Sequence, residues 1–87
     1  MTDDFKGNYQ GRELKIGIVV ARFNEFVTAR LLDGAKRALA DSGVQDMAVK
    51  VVWVPGSFDI PLIAKLMADS RIYDAIVCLG AVIRGDT

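Results

Sequence analysis

The stretch LKIGIVVA, residues 14–21, constrains the fold of this chain more than any other part of its sequence. It is a short, nearly continuous apolar run rich in isoleucine and valine, as expected of a β-strand that is buried on both faces. Strands of this kind belong to parallel sheets, in which helices cross over the faces of the sheet. The run therefore predicts an α/β protein.

The next segment, residues 24–43, has the pattern of an amphipathic helix. Asn24 is its candidate N-terminal cap, and Gly43 marks the point near which the helix ends. Helical spacing places six apolar side chains on one side, where they are expected to face the sheet: Val27, Leu31, Leu32, Ala35, Ala38 and Leu39.

The alternation of strand and helix then repeats. Residues 47–54 predict a second strand, residues 58–70 a second helix, and residues 73–83 a third strand. Pro61 is compatible with this helix because most amide protons of a first helical turn lack intrahelical partners. The whole pattern is β-α-β-α-β, with units of the ordinary βαβ length.

Right-handed crossovers between parallel strands leave few topologies for such a pattern. The favoured one is the doubly wound order 2-1-3, a flavodoxin-like three-layer α/β/α arrangement. Ligands of such sheets bind beyond the carboxyl ends of the strands, at the switch point between the first and third strands. Three loops converge there: ARFN (21–24), PGSFD (55–59) and AVIRGDT (81–87).

Composition excludes several kinds of function. Eleven Lys and Arg balance eleven Asp and Glu, which argues against nucleic acid as the main partner. The chain has no histidine, so the commonest general base and metal ligand are absent, and no plausible metal-ligand set remains. Its one cysteine, Cys78, lies inside the run AIVCLG and is expected to be an inert buried thiol.

The sequence also carries no sign of a membrane or export segment. Its first fifteen residues lack the apolar core of a signal peptide, and no segment approaches the length of a membrane span. We therefore expect a cytoplasmic protein with one domain at most.

The first two loops offer aromatic and oxygen-bearing side chains. Phe23 could stack on a planar heterocycle at the mouth of the crevice, or could cover the first helical turn as a hydrophobic staple. In the second loop, Gly56 permits unusual dihedral angles, and the oxygens of Ser57 and Asp59 could cap the helix or reach a ligand. Phe58 adds a second ring and favours a planar, polyhydroxylated ligand.

The third loop resembles a phosphate-binding loop only superficially. From Gly80 to Thr87 the spacing matches the P-loop pattern, but Asp86 replaces the lysine that neutralises phosphate charge. This replacement argues against a nucleotide triphosphate. The backbone amides of residues 85–87, with the Thr87 hydroxyl, could still form an anion-binding nest, and an ordinary turn is the alternative.

Taken together, ARFN, VPGSFDIP and LGAVIRGDT, in this order and at these separations, resemble the N-terminal portion of the 6,7-dimethyl-8-ribityllumazine synthase family, from about residue 13 to the end. The resemblance implies a flavodoxin-like fold and a step of riboflavin biosynthesis. In this step 5-amino-6-ribitylamino-uracil condenses with 3,4-dihydroxy-2-butanone 4-phosphate through an imine, with loss of phosphate and without metal or organic cofactor.

The resemblance also implies roles for residues of all three loops. Phe23 would stack on the pyrimidine ring, and residues 57–59 would receive the ribityl chain and the edge of the ring. The backbone of the third loop would line the pyrimidine pocket at Ala81, Val82 and Ile83. The phosphate of the butanone would be held by Gly85, Asp86 and Thr87. The family usually has glutamate at the position of Asp59, so ribityl recognition is expected to be weaker or water-mediated.

A larger departure concerns what the 87 residues lack. The family's proposed proton-shuttling histidine follows the threonine that matches Thr87, and later segments supply a fourth strand, an aromatic side chain from a neighbouring subunit and a phosphate-binding arginine. The sequence is therefore interpreted as a single, incomplete domain that is inactive alone. Its expected partners are a complementary C-terminal chain and further copies of itself, in a homo-oligomer that is a pentamer or a shell of pentamers. Alternatives are a non-catalytic scaffold or ligand-binding module and, less favoured, a receiver or nucleotide domain.

Overall fold

The computed structural model describes residues 14–82 and contains one parallel sheet of three strands. The strands are β1 (Ile16–Ala21), β2 (Val49–Val54) and β3 (Ala75–Leu79), and β1 lies between the other two. The parallel pairing and the predicted order 2-1-3 are confirmed. Each strand is shorter than its sequence prediction, by two residues at the start in every case.

Two helices provide the crossovers between the strands. Helix α1 (Glu25–Asp41) joins β1 to β2, and helix α2 (Ile60–Asp69) joins β2 to β3. Two 3-10 turns, Asp46–Ala48 and Ser57–Asp59, occupy positions that the sequence assigned to the start of β2 and of α2. Pro61 lies in the first turn of α2, as predicted. The architecture is the predicted three-layer α/β/α arrangement.

The core lies on both faces of β1, whose six residues are all buried. Ile16, Ile18 and Val20 pack on the α1 side, and Val19 and Ala21 pack on the α2 side. A strand with apolar residues at every position is stable only when both of its faces are covered. The continuous apolar run is thus the sequence signature of the central strand.

The predicted apolar side of α1 is only partly correct. Leu32, Ala35 and Leu39 pack against the sheet, and the fully buried Thr28 belongs to the same face. Three residues assigned to that face are instead exposed: Val27, Leu31 and Ala38. The row at positions 28, 32, 35 and 39 follows the i, i+4, i+7, i+11 spacing that faces the sheet, and the described structure places no second helix against the flank of this row.

The ends of α1 are set by backbone geometry. Asn24 occupies the predicted N-terminal cap position, but it has left-handed dihedral angles, φ 61° and ψ 49°, and its side chain makes no capping hydrogen bond. At the other end Gly43 has φ 93°, and the amide of Val44 donates to the carbonyl of Leu39 at 3.0 Å. This Schellman geometry agrees with the predicted helix end.

The prediction of a buried thiol at Cys78 is also wrong, because this side chain is exposed. Cys78 lies on the α2 side of β3, opposite Val19 of the central strand. The α2 side chains cover Val19 but do not extend over Cys78, which lies on an edge strand of the described sheet.

Candidate functional site

The three loops that follow the strands border an open cavity of about 470 Å³ at the carboxyl end of the sheet. Six residues proposed from the sequence line it: Phe23, Ser57, Phe58, Asp59, Ala81 and Val82. Four others, namely Ile83, Gly85, Asp86 and Thr87, lie outside the described residues. The structure therefore brings together every described member of the predicted site.

The first loop is tied to the second by main-chain hydrogen bonds. The amide of Arg22 donates to the carbonyl of Val54 at 2.7 Å, and the amide of Phe23 donates to the carbonyl of Pro55 at 3.1 Å. These bonds extend the pairing of β1 and β2 beyond the ends of the strands. The Phe23 side chain is 60% exposed and lines the cavity, so its ring is available to a ligand and not enclosed as a hydrophobic staple would be.

Asn24 has a role in this loop that the sequence analysis missed. Its left-handed backbone turns the chain sharply from the end of β1 into α1, directly after Phe23. Among residues with a side chain, asparagine tolerates that conformation well, which is the signal that could have identified it. Its Nδ2 is buried and has no hydrogen-bond partner in the described part of the chain.

The second loop is shaped by Asp59. Its Oδ2 accepts a hydrogen bond from the amide of Gly56 at 2.9 Å, which closes the turn before α2. Gly56 has φ −146° and ψ 170°, extended angles open to any residue, so it does not use the unusual dihedral angles that glycine permits. Phe58, held in the same turn, is 94% exposed. One carboxylate oxygen of Asp59 thus stabilises the loop, and the other is not engaged there.

Ser57 connects the second loop to the third. Its Oγ donates to the carbonyl of Ala81 at 3.4 Å, across 24 residues of sequence. Gly80, which entered the sequence analysis only as part of a false P-loop pattern, lies beside Ser57, and an added Cβ there would lie 2.6 Å from the Ser57 Oγ. The sequence offered no local signal for this contact because the two residues meet only in the folded sheet.

The described part of the site carries one charged side chain. Asp59 is the one charged residue among those that line the cavity in the described structure. The guanidinium of Arg22 lies 5.1 Å from the ring centre of Trp53, on the α1 side of the sheet, and 3.8 Å from the carboxylate of Glu25. Within residues 14–82 the cavity therefore has no cation to hold a phosphate, and no cluster of three metal-ligating side chains occurs.

A larger cavity, of about 650 Å³, lies at the opposite end of the sheet, at the amino ends of the strands. Lys15, Met47 and Ile72 are among its lining residues, and each precedes a strand. Parallel sheets bind ligands at the carboxyl ends of their strands, where loops and helix N-termini meet. We therefore assign the candidate site to the smaller cavity.

Comparison with protein families gives an independent result. A family model described as 6,7-dimethyl-8-ribityllumazine synthase matches residues 13–87, a span that includes all three strands and the three loops of the cavity. In residues 14–82, moreover, neither helix has the length and apolar character needed to cross a bilayer.

Proposed function

Because the chain belongs to the 6,7-dimethyl-8-ribityllumazine synthase family, we propose that its cavity at the carboxyl end of the sheet binds 5-amino-6-ribitylamino-uracil for condensation with 3,4-dihydroxy-2-butanone 4-phosphate. The product is 6,7-dimethyl-8-ribityllumazine, formed with loss of phosphate in riboflavin biosynthesis. One observation carries the proposal: two exposed phenylalanine rings and several hydrogen-bond acceptors border the same cavity.

The rings suit the planar part of this substrate. Phe23 is held by its backbone bond to Pro55 and presents its ring to the cavity, so it stacks on the pyrimidine without rearrangement of the loop. On the far side, Ala81 and Val82 line the pocket. The resemblance implies that these two residues and Ile83 do so mainly through their backbone groups.

The ribityl chain supplies hydroxyl protons, and the second loop supplies acceptors for them. The Ser57 oxygen keeps lone pairs after donating to Ala81, and Asp59 keeps one carboxylate oxygen after accepting from Gly56. Hydrogen bonds to a carboxylate are stronger than bonds between neutral groups. Asp59 therefore orients the ribityl chain, although its arm is one methylene shorter than that of the glutamate usual in the family.

In this account the chain contributes to catalysis chiefly by orientation. The amine of the uracil must meet the ketone of the butanone to form an imine, and fixing that geometry can supply up to about 7–11 kcal/mol of the barrier. Phosphate departs before the ring closes, and we assign its binding to Gly85, Asp86 and Thr87. No metal or organic cofactor takes part.

The 87 residues contain no histidine, and the residues that line the described cavity include no cation. We propose that a complementary C-terminal chain and neighbouring subunits of a pentamer, or of a shell of pentamers, supply the groups for proton transfer and full charge neutralisation in the cytoplasm. The 87-residue chain alone is then inactive.

Turnover measurements test whether the 87-residue chain needs these additional groups for activity. The 87-residue chain is assayed for lumazine formation with both substrates, alone and after addition of a polypeptide that carries the rest of the family's domain. We expect no product from the chain alone and restored product in the mixture. Product from the chain alone contradicts the assigned need for outside groups. If the mixture neither turns over nor binds the uracil, a non-catalytic scaffold replaces the proposed enzyme.

A further inference from the structure

Gly80, the first residue after β3, allows an unusually close approach between the third loop and the second. A Cβ atom built on Gly80 would lie 2.6 Å from Oγ of Ser57 and 3.4 Å from the Ser57 Cβ. The first distance is far below the separation at which non-bonded carbon and oxygen atoms attract, so the Ser57 hydroxyl would have to rotate away or one of the two loops would have to move. The Ser57 hydroxyl can occupy its observed position, from which it bonds to Ala81, only because residue 80 has no side chain.

From that place Ser57 joins the two walls of the cavity. Its hydroxyl donates to the carbonyl of Ala81, which immediately precedes Val82 on one wall, and Phe58 follows Ser57 on the other. Phe58 and Val82 are 94% and 75% exposed, so packing against the core does not fix either of them. The bond from Ser57 to Ala81 is therefore the direct link between the two walls among the hydrogen bonds of the described residues.

We propose that Gly80 is a positioning residue for the cavity. It seats Ser57 against the end of β3, and the resulting bond to Ala81 sets the distance between the second and third loops before a ligand enters. The identity of the ligand rests on the proposed function, whereas the coupling of the loops does not. Because the Ser57 hydroxyl donates its proton to the Ala81 carbonyl, the Ser57 oxygen accepts a hydrogen bond from the ribityl chain.

A double-mutant cycle on the 87-residue chain tests this proposal. Its members are the unmodified chain, Gly80→Ala, Ser57→Ala and the double variant. Ser57→Ala removes the atom that lies at 2.6 Å and keeps the Cβ at 3.4 Å, an ordinary contact distance. The third neighbour, Cδ1 of Ile60 at 3.1 Å, is the flexible end of a side chain and is present in both backgrounds, so its effect cancels in the cycle. Gly34→Ala is the matched control, because an added Cβ there meets nothing within 4 Å on α1.

Two readouts separate the parts of the proposal: the urea midpoint, and the Kd for 5-amino-6-ribitylamino-uracil. We expect Gly80→Ala to lower the midpoint and to weaken binding about tenfold, as overpacking of a close contact does. In the Ser57→Ala background the same change should cost at most about threefold in Kd and little in midpoint. Gly34→Ala should leave Kd unchanged.

Equal effects of Gly80→Ala in both backgrounds would overturn the proposal, as would a Gly34→Ala variant that weakens binding equally. If Gly80→Ala does not fold, a folded double variant supports the coupling and an unfolded one contradicts it. An unmodified chain that binds no uracil counts against the proposed function, and the urea midpoints then still decide whether Gly80 and Ser57 are coupled.

Discussion

Replacement of Phe23 by alanine should weaken binding of 5-amino-6-ribitylamino-uracil while leaving the fold intact. A phenylalanine side chain offers roughly 200 Å² of surface, and 60% exposure leaves about 120 Å² of it free in this structure. A heterocycle stacked on one face covers about half of that area, about 60 Å². At about 25 cal/mol per Å², the lost contact amounts to roughly 1.5 kcal/mol, or about a tenfold increase in Kd.

The chain offers a matched control in Phe26, which is 73% exposed on α1. Its ring lies 4.4 Å from the guanidinium of Arg30 and does not line the cavity. Calorimetric titration of the uracil into both alanine variants separates a stacking contact from a general effect of losing a surface ring. Urea unfolding provides the check on the fold, and both variants should stay within about 1 kcal/mol of the unmodified chain.

The reasoning is refuted if Phe23→Ala binds the uracil within twofold of the unmodified chain, or if Phe26→Ala weakens binding equally. A Phe23→Trp variant adds a positive control, since the larger ring retains a stacking face and should keep most of the affinity.

Three further predictions concern the loops and the sheet. Cys78 is exposed, so a thiol reagent should modify it quickly in the native chain; reaction only in denaturant would contradict the fold at β3. Asn24→Gly should leave the urea midpoint nearly unchanged, whereas Asn24→Ala should cost about 1 kcal/mol because of its left-handed backbone; equal costs would argue against that conformation. Asp59→Ala should lower the free energy of unfolding by about 1 kcal/mol and speed hydrogen exchange at the Gly56 amide, because the capping bond is lost. Asp59→Asn keeps an acceptor oxygen, so both of its effects should be smaller. Identical exchange in all three chains would exclude the observed capping bond.

Much of the fold was predictable because it follows from hydrophobic burial along the chain. Residues 16–21 carry no polar side chain and are all buried, as expected of a central strand that helices cover on both faces. Crossover handedness then left one favoured strand order, which the structure contains. The convergence of the three loops follows from that order.

What the sequence could not predict depends on contacts between distant residues or on the width of a packing face. Helical spacing alone could not separate Leu32, which packs on the sheet, from Leu31, which lies beside it in solvent. Cys78 is part of an apolar run, but its burial depends on what covers β3. The hydrogen bond from Ser57 to Ala81 joins residues that are brought together only by the folded sheet.

The most direct test of the assigned site is to map uracil binding on the isotopically labelled 87-residue chain by NMR. Titration with 5-amino-6-ribitylamino-uracil should shift the amide signals of Phe23, residues 57–59, Ala81 and Val82, which border the smaller cavity. The chemical shifts of Lys15, Met47 and Ile72, at the amino ends of the strands, should not change. Shift changes confined to the amino ends of the strands, or no changes at a saturating ligand concentration, would contradict the assignment of the site to the carboxyl ends.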